Sequence, residues 1–236
     1  MKTVGIIGGM GPLATADLFR RIICKTDAHT DQEHLHVLID SNSDIPDRTK
    51  SIISNGDSPL VELIKSAKRL ETAGADFLIM GCNTAHYYYR DICKAINIPF
   101  LNIIEETVNY IEKTYGNNIV VGLLATDGTI STGIYDAYFK KANIKLITPV
   151  LTQKNVMEFI YEGIKKGNYS FNKESFFEAV EELRVHGAEV ILLGCTELSS
   201  AKDLFHFDDG FIDPLDIIAE KAIQFAGGKV VRYTAE

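Results

Sequence analysis

The sequence predicts an α/β fold of two similar lobes, each a mostly parallel sheet flanked by helices, related by a pseudo-two-fold axis with a cleft between them. Three observations carry this expectation. Strand-like runs alternate with helical patterns along most of the chain, the signature of parallel strands joined by crossover helices. FLIM (Phe77–Met80) is apolar enough to be a buried strand. A stretch of the first half also recurs in the second: GADFLIMGCNT (74–84) matches GAEVILLGCTE (187–197).

Taken in order, TVGIIG (3–8) is the first strand. GGMGP follows, and Pro12 suits the first turn of a helix in which Leu13, Ala16, Phe19, Ile22 and Ile23 recur at helical spacing. HVLID (36–40) is a strand that runs into the polar loop SNSDIPDRT. Residues 60–73 read as a helix with Leu63, Ile64, Ala67 and Leu70 on one face, stopped by Gly74 ahead of FLIM. Helix 86–95, strand FLNII (100–104), helix 105–115, strand IVVGLLAT (119–126), helix 132–142 and strand KLITPV (145–150) continue the alternation. Helices over 156–166 and 173–186, strand EVILLG (189–194) and a last helix over 214–226 complete it. In such sheets ligands bind beyond the carboxyl ends of the strands.

Bulk properties narrow the function. With 46% hydrophobic and 24% charged residues, disordered and fibrous classes drop out. A net charge of −8, from 24 Lys+Arg against 32 Asp+Glu, argues against nucleic acid as a partner. An acidic protein that binds an anion needs a locally placed Arg or Lys. The N-terminus MKTVGIIGGMGP lacks the apolar core of a signal peptide. No segment approaches the ~18 apolar residues of a membrane span, so no membrane partner is expected. Cys24, Cys82, Cys93 and Cys195 lie far apart without CxxC spacing, which points to a cytoplasmic protein with reduced thiols.

The repeat has a constant offset, 187 − 74 = 113 and 195 − 82 = 113. A weaker echo links VGIIGG (4–9) with VGLLAT (121–126), offset 117. The expected division is a first lobe over 1–98, joined by the C-terminal segment 208–236, and a second lobe over 99–207. Cys82 and Cys195 would then enter the cleft from opposite sides. A cysteine alone is often a buried, inert residue. A matched pair at two strand-to-helix junctions, each after a Gly and before hydroxyl or amide residues, favours chemistry instead. Cys24 and Cys93 lie within apolar helical patterns and read as packing residues.

A thiol at a helix start meets unpaired N–H groups and the positive end of the helix dipole, which favour the thiolate. The same N–H groups, those of Asn83, Thr84, Thr196 and Glu197, offer a site for a carboxylate. With a carbon between the two sulfurs, one takes its proton while the other delivers one, and a stereocentre inverts. A metal site needs three or four ligands, and no CxxC or HxxxH supplies them. A disulfide between the two is disfavoured in a reducing compartment.

GCNTAH (81–86), GCTEL (194–198) and GGMGP (8–12) resemble the aspartate/glutamate racemase family, which is pyridoxal-independent, and the resemblance covers nearly the whole chain. Its glutamate racemase branch typically has an Asp-Ser pair in the first loop and a GCTH second motif. Here Gly9-Met10 and GCTE stand instead, and PDRT (46–49) follows the second strand. These features resemble the aspartate racemase branch, whose members are selective for aspartate or accept glutamate too. The resemblance implies that Cys82 and Cys195 are the two bases, and that Asn83, Thr84 and Thr196 hold the α-carboxylate. It implies that Arg48 and Lys165 bind the side-chain carboxylate, a task for which Arg offers two parallel bonds. It also implies no cofactor, an acidic amino acid as the small-molecule partner, and a homodimer.

Read from the residues alone, Arg48 is equally a loop salt-bridge partner of Asp44 or Asp47, and Lys165 a solvated helix lysine. Met10 and Gly11 offer backbone N–H groups to a substrate, or simply form a tight turn. Thr126 contributes a hydroxyl or caps a helix. Glu197 holds the second loop or tunes Cys195, and His86 caps a helix or touches the site. The main rival is a nucleotide-binding enzyme, because Gly9, Gly11 and Ala14 fit G-x-G-x-x-A and Asp40 ends the second strand. That reading leaves the duplicated cysteines unexplained, and Pro12 removes one N–H from the turn. Hydantoin racemisation, maleate isomerisation and non-catalytic binding of acidic amino acids also compete.

Overall fold

The computed structural model describes residues 1–207 and 210–231. Its strands are β1 (Val4–Gly8), β2 (Val37–Ser41), β3 (Phe77–Met80), β4 (Val120–Leu124), β5 (Lys145–Ile147), β6 (Val190–Leu193) and β7 (Phe211–Ile212). The helices of the first half are α1 (Pro12–Lys25), α2 (Arg48–Ile53), α3 (Leu60–Thr72), α4 (Tyr89–Ala95) and α5 (Ile103–Tyr115). Those of the second are α6 (Asp127–Thr132), α7 (Ile134–Ala142), α8 (Gln153–Glu158), α9 (Glu174–Val185), α10 (Thr196–Phe205) and α11 (Pro214–Ala226). No helix among the described residues is long and apolar enough to cross a membrane.

Two parallel sheets form, in the orders β2-β1-β3 and β5-β4-β6-β7. The repeat is visible in the pairing itself. Val4 pairs with Phe77 in the first sheet and Val121 with Val190 in the second, which reproduces the sequence offsets of 117 and 113. Each inner strand is apolar on both faces because both are covered. Val4, Ile6, Phe77, Ile79, Val121, Leu123 and Leu192 join α5 and α11 in one central core. Leu78 and Met80 face α3 and α4, and Ile191 and Leu193 face α8 and α9. Burying each such side chain contributes about 1.5–3 kcal/mol. Of the segment 208–236, residues 208–209 and 232–236 lie outside the described residues. Within the rest, β7 extends the second sheet and α11 packs on α1 and α5.

Several local expectations change. FLNII is not a strand: Phe100 makes a single bridge to Leu78, and the Asn102 side chain then accepts from the Ile104 and Glu105 N–H groups to start α5. The helix expected over 132–142 begins earlier and breaks at Gly133, which takes a left-handed conformation at φ +59°. The PDRT loop contains α2, started by the Asp47 side chain accepting from Lys50 N–H. The expected helix 156–166 becomes α8, then a π turn over Phe159–Gly163 and a 3₁₀ turn over Ile164–Lys166.

The buried face of α1 is rotated from the expected one. Leu13 and Ile23 are exposed, Cys24 is exposed rather than packed, and Ala14, Leu18, Arg21 and Ile22 point inward. Charge explains the rotation. Arg21 is buried among Asp17, Asp203, Asp213 and Asp216, which ties α1 to α10 and α11. These four carboxylates offset the cost of burying the Arg21 charge.

Candidate active site

The two repeated motifs end their strands side by side at one cavity. Met10, Arg48, Cys82, Asn83, Thr84, Thr126, Lys165, Cys195, Thr196 and Glu197 all line it, and so do Asp47, Thr49 and Tyr161. Of the expected site residues Gly11 alone is absent. It lines two adjoining cavities, one shared with Cys82 and Thr196 and one open to the surface. The central cavity is about 10 Å³, room for about one water. The outer one, about 650 Å³, shares Met10, Asp47, Arg48, Lys165 and Glu197 with it.

Close packing at the strand ends and between the two halves dictates small residues. A Cβ on Gly194, before Cys195, would lie 2.5 Å from Leu123 Cδ1 and 3.0 Å from Ala125 Cβ. One on Gly128 would lie 2.8 Å from Thr49 Oγ1, so glycine there lets α6 approach the helix carrying Arg48. Hydroxyls meet across the same junction. Thr84 Oγ1 lies 3.1 Å from Thr126 Oγ1 and 2.8 Å from Thr129 Oγ1. Thr126 also caps α6, and its side chain lines the cavity. Asn83 Oδ1 accepts from the buried Tyr135 hydroxyl at 2.6 Å.

Cys195 is buried at the N-cap of α10. Its Sγ donates to Glu197 Oε2 at 3.0 Å, and Lys165 Nζ donates to Glu197 Oε1 at 2.5 Å. Burial and the adjacent carboxylate push the Cys195 thiol well above its ordinary pKa. Burial opposes the Glu197 charge, but Lys165 and the thiol outweigh it and hold Glu197 below the usual carboxylate range. Burial likewise opposes the Lys165 charge, and Glu197 with Cys195 keeps its pKa raised. Lys165 is therefore not a solvated helix lysine; its neighbour Lys166 pairs with Glu162 on the surface.

Cys82 is half-buried and faces a cation. Arg48 is only 8% exposed, and its guanidinium donates to the carbonyls of Ile45, Pro46 and Met10. Its Nε–H has no partner, and no carboxylate forms a salt bridge with it among the described residues. The loop salt bridge to Asp44 or Asp47 does not form, because Asp47 caps α2 and accepts from the Tyr161 hydroxyl. Burial opposes the Arg48 charge, while the Cys82 sulfur within hydrogen-bonding reach and Asp47 raise its pKa.

Thr49, Thr129 and Tyr161 escaped the reading of single residues. Thr129 follows Thr126 by three residues and Tyr161 precedes Lys165 by four, and helical neighbours share a face. The nucleotide reading loses its acid, since Asp40 pairs with Arg69 at 2.6 Å. No cluster of three or more His, Cys, Asp or Glu among the described residues is placed to hold a metal ion.

A model of the Asp/Glu/Hydantoin racemase family matches residues 7–222. The broad specificity amino-acid racemase RacX of Bacillus subtilis (strain 168) is 30% identical over 225 residues, spanning 93% of this chain and 96% of that protein. The aspartate racemase of Picrophilus torridus superposes with a TM-score of 0.85 at 31% identity, covering 98% of this chain and 96% of that one. An aspartate racemase homologue from Pyrococcus horikoshii OT3 gives 0.74 at 27% identity, covering 96% and 100%.

Proposed function

This chain belongs to the Asp/Glu/Hydantoin racemase family, and from that premise we propose that it interconverts L- and D-aspartate, with glutamate the alternative substrate, without a cofactor. The observation that carries the reading is a single cavity lined by both thiols and by a buried guanidinium whose Nε–H has no partner. An unpaired buried donor is costly, and a substrate carboxylate relieves it. A bidentate grip suits that group best. Lys165, at the mouth of the same cavity, adds a second cation for the side-chain carboxylate. The α-carboxylate is held by the N–H groups and side chains of Asn83, Thr84 and Thr196, with Thr126 supporting Thr84. Met10 and Gly11 wall the entry from the outer cavity.

The chemistry is proton transfer through the α-carbon. Cys82, beside the Arg48 guanidinium, takes the α-proton from one face. Cys195, holding its proton against Glu197, delivers it to the other. The α-carbon inverts, Cys82 ends as the thiol and Cys195 as the thiolate, and the opposite enantiomer runs the cycle in reverse. Lys165 and Glu197 hold Cys195 in place and balance the charge it gains. Glu197 is a positioning residue in this scheme. The Asn83-Thr84 and Thr196-Glu197 turns suit the site to an α-amino carboxylate.

The test is incubation of the purified protein in deuterated water with L-aspartate and, separately, L-glutamate, without added cofactor. D-isomer forms and deuterium appears at Cα, followed by chiral chromatography and proton NMR. Inversion that requires pyridoxal phosphate or a nucleotide, or inversion without deuterium uptake, overturns the reading.

A further inference from the structure

The two cysteine turns differ in how their carbonyls are held. At the second, the Cys195 carbonyl accepts from Leu198 N–H at 2.9 Å and from Ser199 N–H at 3.4 Å, as the N-cap residue of a helix does. At the first, the turn after the cysteine is 3₁₀ over Thr84–Tyr88, and it starts one residue later. Its first bond runs from His86 N–H to the Asn83 carbonyl. Among the described residues, no backbone N–H reaches the Cys82 carbonyl. The His86 imidazole does, with Nδ1 at 2.9 Å.

The other ring nitrogen is also committed. Nε2 lies 3.3 Å from Ile103 N–H, a donor in the first turn of α5 that the Asn102 cap leaves free. A carbonyl only accepts and an amide N–H only donates, so Nδ1 carries the proton and Nε2 the lone pair. The ring is buried, stacked on Tyr89 at 6.0 Å and against Phe100 at 5.8 Å, and the Tyr89 hydroxyl donates to the Phe100 carbonyl at 2.8 Å. Burial lowers its pKa to about 4, so the neutral tautomer persists at neutral pH.

From this geometry we infer that His86 is a positioning residue that aims the Asn83 N–H into the cavity. The Cys82–Asn83 peptide is trans, so its C=O and N–H point in opposite directions in one plane. Gripping the carbonyl fixes the N–H at the other end. That N–H has no acceptor among the described residues, and Cys82, Asn83 and Thr84 all line the cavity. His86 thus supplies with a side chain what α10 supplies with its backbone. It also braces the Cys82 turn against α5, which begins the link to the second sheet. The substrate carboxylate meets this N–H only in the racemase reading above.

Two near-isosteric variants separate the ring's two bonds. His86→Asn keeps a donor where Nδ1 stood and loses the acceptor for Ile103. His86→Gln keeps an acceptor where Nε2 stood and loses the donor to the Cys82 carbonyl. His86→Asn is expected to hold kcat/KM within about threefold of wild type even with a lower Tm. His86→Gln is expected to lose roughly 10- to 100-fold, mostly in KM, the loss expected for one hydrogen bond to a charged group. Equal losses in both variants, or unchanged KM in His86→Gln, overturn the assignment. A readout independent of turnover is the ratio of Cys82 alkylation by iodoacetate to that by iodoacetamide, measured by mass spectrometry. The ratio falls in His86→Gln and holds in His86→Asn. An unchanged ratio in both counts against His86 even if the wild type turns over neither acid. That inactivity of the wild type would itself overturn the racemase reading.

Discussion

At the end of β3, Cys82 faces the Arg48 guanidinium, and an imidazole holds its carbonyl. At the end of β6, Cys195 donates to a carboxylate, and the first turn of α10 holds its carbonyl. The sequence motifs are nearly the same, Gly-Cys followed by amide or hydroxyl residues, yet their surroundings carry opposite charge. A two-base reaction needs such an imbalance, because one sulfur must start bare and the other protonated. Duplication supplies two thiols at equivalent turns, and in the proposed scheme their non-equivalent neighbours divide the roles.

The largest effect expected comes from removing one thiol at a time. Cys82→Ser and Cys195→Ser each lower racemisation by roughly 10²- to 10⁴-fold. Their half-reactions differ. Cys195→Ser retains Cys82 beside its cation, so deuterium from solvent enters one enantiomer of aspartate without inversion. Cys82→Ser retains a protonated thiol tied to Glu197, and no exchange occurs at neutral pH. Proton NMR of each enantiomer reads both outcomes. Equal exchange in the two variants removes the asymmetry.

A smaller effect tests the carboxylate side of the comparison. Burial raises the Cys195 pKa first and Glu197 raises it further, so the thiol keeps its proton through neutral pH. Activity that needs this proton therefore falls as pH rises through the raised value. Glu197→Gln removes the negative neighbour and leaves Lys165 acting on the sulfur unopposed. The alkaline fall in kcat moves to lower pH, and kcat at neutral pH drops roughly 10-fold, as for one charge-assisted hydrogen bond. A pH profile in which the alkaline limb stays put detaches Glu197 from Cys195.

The thiol pair was legible because repetition is a sequence property: the offset of 113 survives into the strand pairing. Arg48 and Lys165 came from family resemblance, since nothing local distinguishes a site lysine from Lys166 beside it. What escaped depends on distances between segments. The rotation of α1 follows from Arg21 meeting acids some 190 residues away in sequence, Asp213 among them. FLNII has the composition of a strand, but its asparagine caps a helix, and a 3.6-residue period cannot reveal that choice. From the sequence, His86 reads only as a helix cap or site contact. Its grip on the Cys82 carbonyl depends on a 3₁₀ turn that the sequence does not announce.

The smallest effect concerns a second unequal pair, the loops after β2 and β5. Both read Pro-x-x-Thr, at 46–49 and 149–152. The first turns inward and buries Arg48; the second leaves Leu151 86% exposed. The second loop holds an anion from its own chain. Glu182 accepts from the N–H groups of Val150, Leu151 and Thr152 and from the Thr152 hydroxyl. Partial desolvation opposes its charge, but these donors prevail and lower its pKa to about 2. A depressed carboxylate pKa contributes stability that is present above its ordinary value, near 4.5, and lost as pH falls through about 2. Glu182→Gln is therefore expected to lower Tm by roughly 2–4 °C at neutral pH, as loss of a cap does in a chain of this size. The gap to wild type narrows between those two pH values, and kcat/KM stays unchanged throughout. A change in kcat/KM would put the second loop in the site and make the two lobes more alike than their charges suggest.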